Sequence, residues 1–187
     1  MKRFLALALA LSLGVAACDR HSTTPTTEDA PVVDMELMAF LSEARALHHQ
    51  ANLKEEAGDL SGAAGAMQRL VNARQPRAKA PEVEEVLADA YARLAELELK
   101  QSHLEPAQKA IESGLAHAPE PTYFRGHLVE VQGLVEESRS QALADAGKAQ
   151  EAAKAREKAI QLLEEVVKIQ DQVIQKSLSS RDAEAPK

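Results

Sequence analysis

Three short segments that resemble one another recur along the chain and divide it into parts of similar length. Residues 58–64, 102–108 and 147–153 each begin at a turn-forming residue and carry an alanine five positions later. The starts of these segments are 44 and then 45 residues apart (58 to 102, 102 to 147). A fixed period of this length is typical of tandem helical hairpins, in which each unit packs on its neighbours. The chain is therefore predicted to form three consecutive helix pairs.

The sequence around these turns favours helix throughout. Good helix formers dominate it, and apolar side chains recur every three or four positions, as they do on one face of a helix. Asp34 as an N-cap, a capping box at residues 102–105 and the positions of proline and glycine predict the helix ends. The predicted helices lie at about residues 34–57, 60–73, 81–101, 102–118, 121–147 and 148–178, with Ala142 lining the fifth. We therefore predict an all-α fold of antiparallel helical hairpins with a long C-terminal helix.

The second predicted hairpin carries a specific pattern of small and bulky residues. It comprises Tyr91, Leu94, Ala95, Leu104, Ala107, Ile111, Gly114 and Pro119. The pattern resembles the tetratricopeptide repeat (TPR) family, with partial matches in the other hairpins over residues 36–167. This resemblance implies that the hairpins stack as a short TPR-like solenoid. Because the period is about ten residues longer than the usual 34 and Arg156 stands at a normally apolar position, a simple helical bundle is the alternative.

The first eighteen residues have the layout of a secretory signal. Lys2 and Arg3 precede an apolar run over residues 4–17, which is shorter than the roughly 20 residues needed to span a membrane. The run ends Val-Ala-Ala-Cys at residues 15–18 and resembles the lipobox of bacterial lipoproteins. That resemblance implies a lipid on the Cys18 thiol and removal of residues 1–17. The alternative is an ordinary secreted protein with one unpaired cysteine.

The chain is thus predicted to have four parts. They are a signal peptide (1–17), the lipidated cysteine with a disordered tether (18–33), a helical domain (34–178) and a disordered tail (179–187). The lipoprotein resemblance implies a protein anchored in the bacterial cell envelope, with its domain facing the periplasm. Asp19 resembles the signal that retains enteric lipoproteins in the inner membrane and so favours that membrane, with the outer membrane as the alternative.

The charge of the chain argues against nucleic acid as a partner. Its 22 basic and 29 acidic residues give a net charge of −7, which becomes −9 when Lys2 and Arg3 leave with the signal. Such a chain repels polyanions. Aromatic residues are only 3 % of the total, so a surface for stacking bases is not expected either.

The sequence contains no motif of a catalytic or metal site. Its six histidines show no metal-binding spacing, and there is no nucleophile elbow, phosphate loop or dinucleotide fingerprint. Acidic pairs such as Glu164-Glu165 lie on helices near basic residues, here Lys168, which is typical of solvated helix faces. We therefore predict a protein that is not an enzyme and has no cofactor beyond the covalent lipid on Cys18.

The remaining candidates for function are protein-binding surfaces. In the TPR family the first helix of each hairpin lines a groove that binds a partner. Carried over position by position, this resemblance implies a groove of Arg45, His48, Asn52, Glu55, Asp89, Glu96, Glu137 and Gln141. The last helix has two apolar stripes that one neighbour cannot cover, which predicts a possible second interface at Val167, Ile169, Val173, Ile174 and Leu178. The predicted function is a membrane-anchored, non-catalytic scaffold or assembly factor for envelope proteins. The alternative is a structural spacer that forms homo-oligomers through its last helix.

Overall fold

The computed structural model describes residues 34–77 and 80–184, with side chains as far as Arg181. The predicted signal peptide, Cys18 and tether lie outside this part of the chain, as do the last three residues. The described residues form six α-helices and no strand. These are α1 (Met35–Glu56), α2 (Leu60–Val71), α3 (Pro81–Lys100), α4 (Leu104–His117), α5 (Tyr123–Asp145) and α6 (Ala149–Glu184). The all-α class and the long C-terminal helix are thereby confirmed.

The turns inside the three helix pairs share one backbone geometry. Gly58, Ser102 and Gly147 have positive φ angles of 79°, 64° and 75°. Each donates its N–H to the carbonyl three residues earlier, and the following N–H bonds to the carbonyl five residues before itself. This is the Schellman arrangement, in which a left-handed residue satisfies the last carbonyls of a helix. The sequence alignment of the three turns is therefore confirmed by their backbone.

The capping box predicted at residues 102–105 is wrong. Ser102 is the left-handed residue that follows α3, and His103 precedes α4 without making a side-chain cap. The Nδ1 atom of His103 instead lies 2.8 Å from Oε2 of Glu98. An N-cap needs a non-helical residue directly before the first turn of the helix, and Ser102 lies one residue too early to fill that position.

Contacts between helices follow the order of the chain. The pairs α1–α2, α3–α4 and α5–α6 pack across their turns, and α2 and α4 also contact the helix that follows each of them. In addition α1 contacts α3, and α3 contacts α5. The first helices of the three pairs are therefore neighbours, and side chains from all three can meet on one face.

Alanines allow the paired helices to approach closely. Ala51, Ala63, Ala95 and Ala107 are 0 % exposed and Ala152 is 7 % exposed, as expected for contact points between helices. The largest fully buried side chains of the core are Met67, Leu70, Leu87, Leu97, Ile111, Leu128, Val131 and Val135. Burial of a leucine- or methionine-sized side chain contributes roughly 1.5–3 kcal/mol. Burial of these large side chains stabilises the helix packing that the alanine contacts allow.

Helix α6 lies antiparallel to α5 and buries one of its two apolar stripes. Ile169 packs beside Gly126 near the start of α5, while the Ser140 hydroxyl near its end donates to the Ala152 carbonyl at 2.8 Å. Ile169 is only 5 % exposed, and Val173 on the same stripe is half-buried. The prediction that Ile169 belongs to a second interface is therefore wrong, because α5 already covers it.

The other stripe of α6 faces outward. Val167, Ile174 and Leu178, which were also predicted for the second interface, are 61 %, 54 % and 47 % exposed. Ile160 and Leu163 extend the same stripe toward the start of the helix, at 53 % and 40 % exposure. A run of exposed apolar side chains of this kind is typical of a protein-binding site.

Two further details of the helices differ from the prediction. Helix α6 continues to Glu184, six residues past the predicted end at Leu178, because no glycine or proline interrupts it before Pro186. The backbone of residues 179–184 is therefore helical, although a disordered tail was predicted there. Ala142 is exposed rather than inward-facing, because Ser140 occupies the inward position of that turn.

Candidate partner-binding face

Helices α1, α3 and α5 bring five of the eight predicted groove residues together. His48 of α1 lies near Asp89 of α3, while Asn52 and Glu55 of α1 contact Arg93, which also contacts Glu96. Three residues that were not predicted connect them. We call the whole set the three-helix face: His48, Asn52, Glu55, Asp89, Arg93, Glu96, Lys100 and His127.

Arg93 forms the centre of this face. Its Nη1 atom donates to Oε2 of Glu96 at 2.9 Å, while its Nη2 atom pairs with Glu55 of α1. Lys100 pairs with the other carboxylate oxygen of Glu55. The hydrogen bond from Lys100, together with the charge of Arg93, holds the pKa of Glu55 below its ordinary value. Two cations from α3 thus hold one carboxylate of α1 in its charged form.

His127 joins α5 to the same network. Its Nε2 atom donates to Oε1 of Glu96 at 3.1 Å, and its Nδ1 atom lies 3.7 Å from Oδ1 of Asp89, which is an ion-pair distance rather than a hydrogen bond. Asp89 and Glu96 raise the pKa of His127 to about 9. Although burial opposes the change, His127 and Arg93 lower the pKa of Glu96. At neutral pH the imidazolium of His127 therefore lies between two carboxylates.

Asp89 also lies near a second histidine, whose pKa is shifted in the opposite direction. The Nε2 atom of His48 lies 3.7 Å from Oδ2 of Asp89. Burial lowers the pKa of His48, although the charge of Asp89 opposes this. At neutral pH Asp89 thus lies between a charged histidine on α5 and a neutral one on α1.

A pocket opens beside this network, between α1 and α3. It has a volume of about 400 Å³, and its apolar lining includes Leu41, Val86 and Phe124. The predicted groove residues Arg45, His48 and Asp89 line it together with the exposed Glu82 and Glu85. We call it the α1–α3 pocket. Its apolar floor and mostly acidic rim suit a segment that places a basic side chain next to an apolar one.

The remaining two predicted residues lie elsewhere. Glu137 and Gln141 are farther along α5, where they line a separate cavity with Arg156 of α6. The Nε2 atom of Gln141 donates to Oδ1 of Asp145 at 2.8 Å, so its contact is within its own helix. The structure therefore does not join these two residues to the three-helix face.

The three residues that were not predicted differ in how visible they are in the sequence. Arg93 and Lys100 follow Asp89 and Glu96 at helical spacing, so their position on the same face could have been read from α3 alone. His127 gives no such local signal, because its partners lie 31 and 38 residues away on another helix. Its role depends on the contact between α3 and α5.

The described residues show neither a metal-binding group nor a membrane-spanning helix. Among them there is no group of three or more histidine, cysteine, aspartate or glutamate side chains placed to hold a metal ion. None of the six described helices combines the length and the apolar character needed to cross a bilayer. Comparison of the chain with protein-family models, curated proteins and solved structures gives no match.

Proposed function

We propose that this protein is a non-catalytic scaffold that binds a protein partner in the bacterial cell envelope. The observation that carries the proposal is the α1–α3 pocket beside the three-helix face. Side chains from α1, α3 and α5 contact one another there, so His48 and Asp89 of the rim are held in place before a partner arrives. Such preorganisation lowers the entropy that binding would otherwise cost.

The arrangement of the helix pairs supports a TPR-like solenoid as the basis of this function. Three pairs share one turn geometry, and the first helices of successive pairs touch one another. In a TPR-like stack those first helices line the concave groove. The α1–α3 pocket lies between the first helices of the first two pairs, where such a groove would bind a partner segment.

The chemistry of the pocket suggests what the partner presents. Glu82, Glu85 and Asp89 offer carboxylates at the rim, while Val86 and Phe124 offer apolar surface at the floor. A partner segment with a lysine or arginine beside an apolar residue would satisfy both. Arg45 at the edge would repel a second cation and so restrict where the basic residue can sit.

A lipid on Cys18 would explain how such a scaffold is held in place. In this proposal the chain is a lipoprotein, and residues 18–33 tether the helical domain to the periplasmic side of a membrane. The inner membrane is favoured by Asp19. The Cys18→Ser variant should then move from the membrane fraction to the soluble fraction with an unchanged circular dichroism spectrum. A variant that stayed membrane-bound after signal cleavage would contradict the anchor.

The binding proposal is tested with a charge reversal at the pocket rim. Glu82→Lys with Glu85→Lys changes two exposed side chains, so the fold should be retained. Cross-linking in intact cells followed by mass spectrometry should show partners of the unmodified chain that this variant loses. The matched control is Glu112→Lys with Glu130→Lys, which reverses two exposed charges outside the pocket. If both variants keep the same partners, the pocket is not the binding site.

A second candidate function has its own supporting observation. The outward stripe of α6, formed by Ile160, Leu163, Val167, Ile174 and Leu178, is exposed along several turns. A structural subunit that self-associates would cover such a stripe. In that case the protein acts as a spacer in an oligomer rather than as a scaffold for another protein.

A further inference from the structure

A groove lies on the surface between α5 and α6, the two helices of the last pair. Glu137 of α5 lines it with Arg156, Ile160 and Leu163 of α6, and its volume is about 410 Å³. Ile160 and Leu163 are 53 % and 40 % exposed. We call it the terminal groove.

The same groove occurs earlier in the chain, where it is filled. The 45 residues between Ser102 and Gly147 relate α4 to α6, so that Leu115 corresponds to Ile160 and Ala118 to Leu163. Leu115 of α4 and its C-cap residue Ala118 pack in one apolar cluster with Phe124 and Leu128 of α5. Helix α5, which follows the second pair, thus covers the positions that correspond to the exposed Ile160 and Leu163 of the third pair. By this correspondence, the terminal groove exposes the positions on which one more first helix would pack.

The opposite end of the molecule presents a matching helix. The 89 residues between Gly58 and Gly147 relate α1 to α5, so that Met35 corresponds to Phe124 and Ala39 to Leu128. Met35 is 73 % exposed, and Ala39 is exposed as well. Helix α1 therefore turns outward the face that α5 uses to pack on the preceding pair.

The contact between α4 and α5 supplies the register of such a docking. A Cβ atom on Gly114 would lie 2.5 Å from Cδ2 of Leu128, and Arg139 Nη1 lies 3.4 Å from Oε1 of Glu105. The two helices are therefore antiparallel, with position 114 opposite 128. Transferred by the two repeat distances, this register sets Ala159 of one chain opposite Ala39 of another.

The transferred register gives two specific contacts, one helical turn to either side of the pair formed by Ala159 and Ala39. Toward the end of α6, Leu163 meets Met35 of the second copy, an apolar pair. Toward its start, Arg156 meets Glu43 of the second copy. Arg156 stands where the first two pairs have the buried Met67 and Ile111, and Glu43 stands where α3 has the buried Leu87. On α5 the position of Glu43 is held by the half-buried Gln132, so a polar side chain is accommodated at this level, and the charges of Arg156 and Glu43 are opposite in sign.

We propose that the terminal groove of one chain binds α1 of a second copy, so that copies join head to tail. This inference deepens the second candidate function by naming the two surfaces, and it does not involve the α1–α3 pocket. The interface is heterologous, which means that a pair of copies keeps one free α1 face on the first copy and one free groove on the second. Assembly therefore yields a concentration-dependent ladder of oligomers rather than a single dimer.

The test is site-specific photo-cross-linking of the full chain in cells. The variant Leu163→p-benzoylphenylalanine is irradiated, and the cross-linked peptides are identified by mass spectrometry. The expected product joins position 163 to a peptide of α1 around Met35 in a second copy. The same replacement at Glu112, which is exposed on α4, should give no such product. A product with α6 of a second copy, a product with a different protein, or no product at all would each overturn the proposal.

A charge exchange tests the register independently. Arg156→Glu or Glu43→Arg alone should lower the yield of the α1 cross-link about fivefold, because like charges then face each other. The double variant should restore most of the yield, since the pair is re-formed with its charges exchanged. Equal yields in the single and double variants would show that the two residues do not meet. Because Glu82 and Glu85 are unchanged throughout, failure of this assembly and failure of the pocket are separate results.

Discussion

Single charged side chains connect the first helices of this protein to one another. Exposed ion pairs usually contribute 0–1 kcal/mol each, but here Arg93, Glu96 and His127 are half-buried and share partners. Asp89 contacts His127 on one side and His48 on the other. The network therefore depends on the charge state of one imidazole, which makes its contribution sensitive to pH.

Replacement of His127 by glutamine should reveal this dependence. Asp89 and Glu96 on α3 raise its pKa to about 9 in the folded chain, against an ordinary value of 6.5. A raised pKa stabilises the fold fully below about pH 6.5, and this stabilisation is lost as the pH rises through 9. We expect the variant to be less stable by about 1–2 kcal/mol at pH 6, after allowance for solvent screening. The difference should shrink toward pH 9.5.

Thermal unfolding of both chains across this pH range measures the difference directly. His49→Gln serves as the control, because His49 is exposed on α1. A gap between the unmodified chain and His127→Gln that stays constant from pH 6 to 9.5 would contradict the proposed ion pairs. A gap that appears equally in the control would point to a general effect of histidine loss.

At the scale of helices and turns, one backbone geometry is used three times with two kinds of residue. Gly58 and Gly147 adopt the left-handed conformation without a Cβ atom, whereas Ser102 adopts it with one. An L-residue with a side chain loses about 1–2 kcal/mol in that conformation. The second turn is therefore strained relative to the first and third, and a glycine in place of Ser102 would remove this strain.

The variant Ser102→Gly should raise the free energy of unfolding by about 1 kcal/mol. The converse variant, Gly58→Ala, should lower it by a similar amount. A Cβ atom at Gly58 would have nothing within 4 Å, so the effect there comes from the backbone conformation alone. Chemical denaturation of the two variants measures both changes. If Ser102→Gly were neutral or destabilising, the assigned strain would be wrong.

Close approach of helices gives a second prediction at this scale. A Cβ atom on Gly114 would lie 2.5 Å from Leu128 Cδ2 and 2.9 Å from the Cβ atom of Tyr91. Gly114→Ala should therefore destabilise the fold by about 1–3 kcal/mol through overpacking. Gly65→Ala on α2 is the matched control, because its new methyl group meets nothing within 4 Å and removes the helix penalty of glycine. Melting temperatures that change in the same direction in both variants would refute the close contact.

The helices could be predicted from sequence more fully than their contacts. Helix ends depend on local signals such as Asp34, whose side chain does accept the N–H groups of Glu36 and Leu37. The position of Ile169 against Gly126 depends instead on the register between α5 and α6, which no local signal carries. His127 was missed for the same reason. Sequence patterns therefore showed which face of a helix is apolar, but not which neighbour covers it.

For the molecule as a whole, stability is expected to vary with position along the chain. Helix α3 contacts α1, α2, α4 and α5, whereas the end of α6 extends past the helix that it packs on. In proteins built from repeated pairs, each unit depends mainly on its neighbours, so the ends open more readily than the centre.

Hydrogen exchange of backbone amides should show this gradient. Protection is expected to be highest in α3 and lowest over residues 174–184 of α6. The opening free energy of α3 should approach that of global unfolding, measured by denaturant. Uniform protection from α1 to the end of α6 would contradict the gradient and indicate a single cooperative unit.

The succession of neighbouring contacts also bears on the speed with which this chain folds. Each tight turn closes a helix pair from residues that are adjacent in the sequence, and the next helix along the chain then packs on that pair. Chains dominated by such local contacts fold within microseconds to milliseconds, because little loop-closure entropy is lost before contacts form. A chain with such contacts buries its apolar faces quickly. The interval during which these faces could aggregate is correspondingly short.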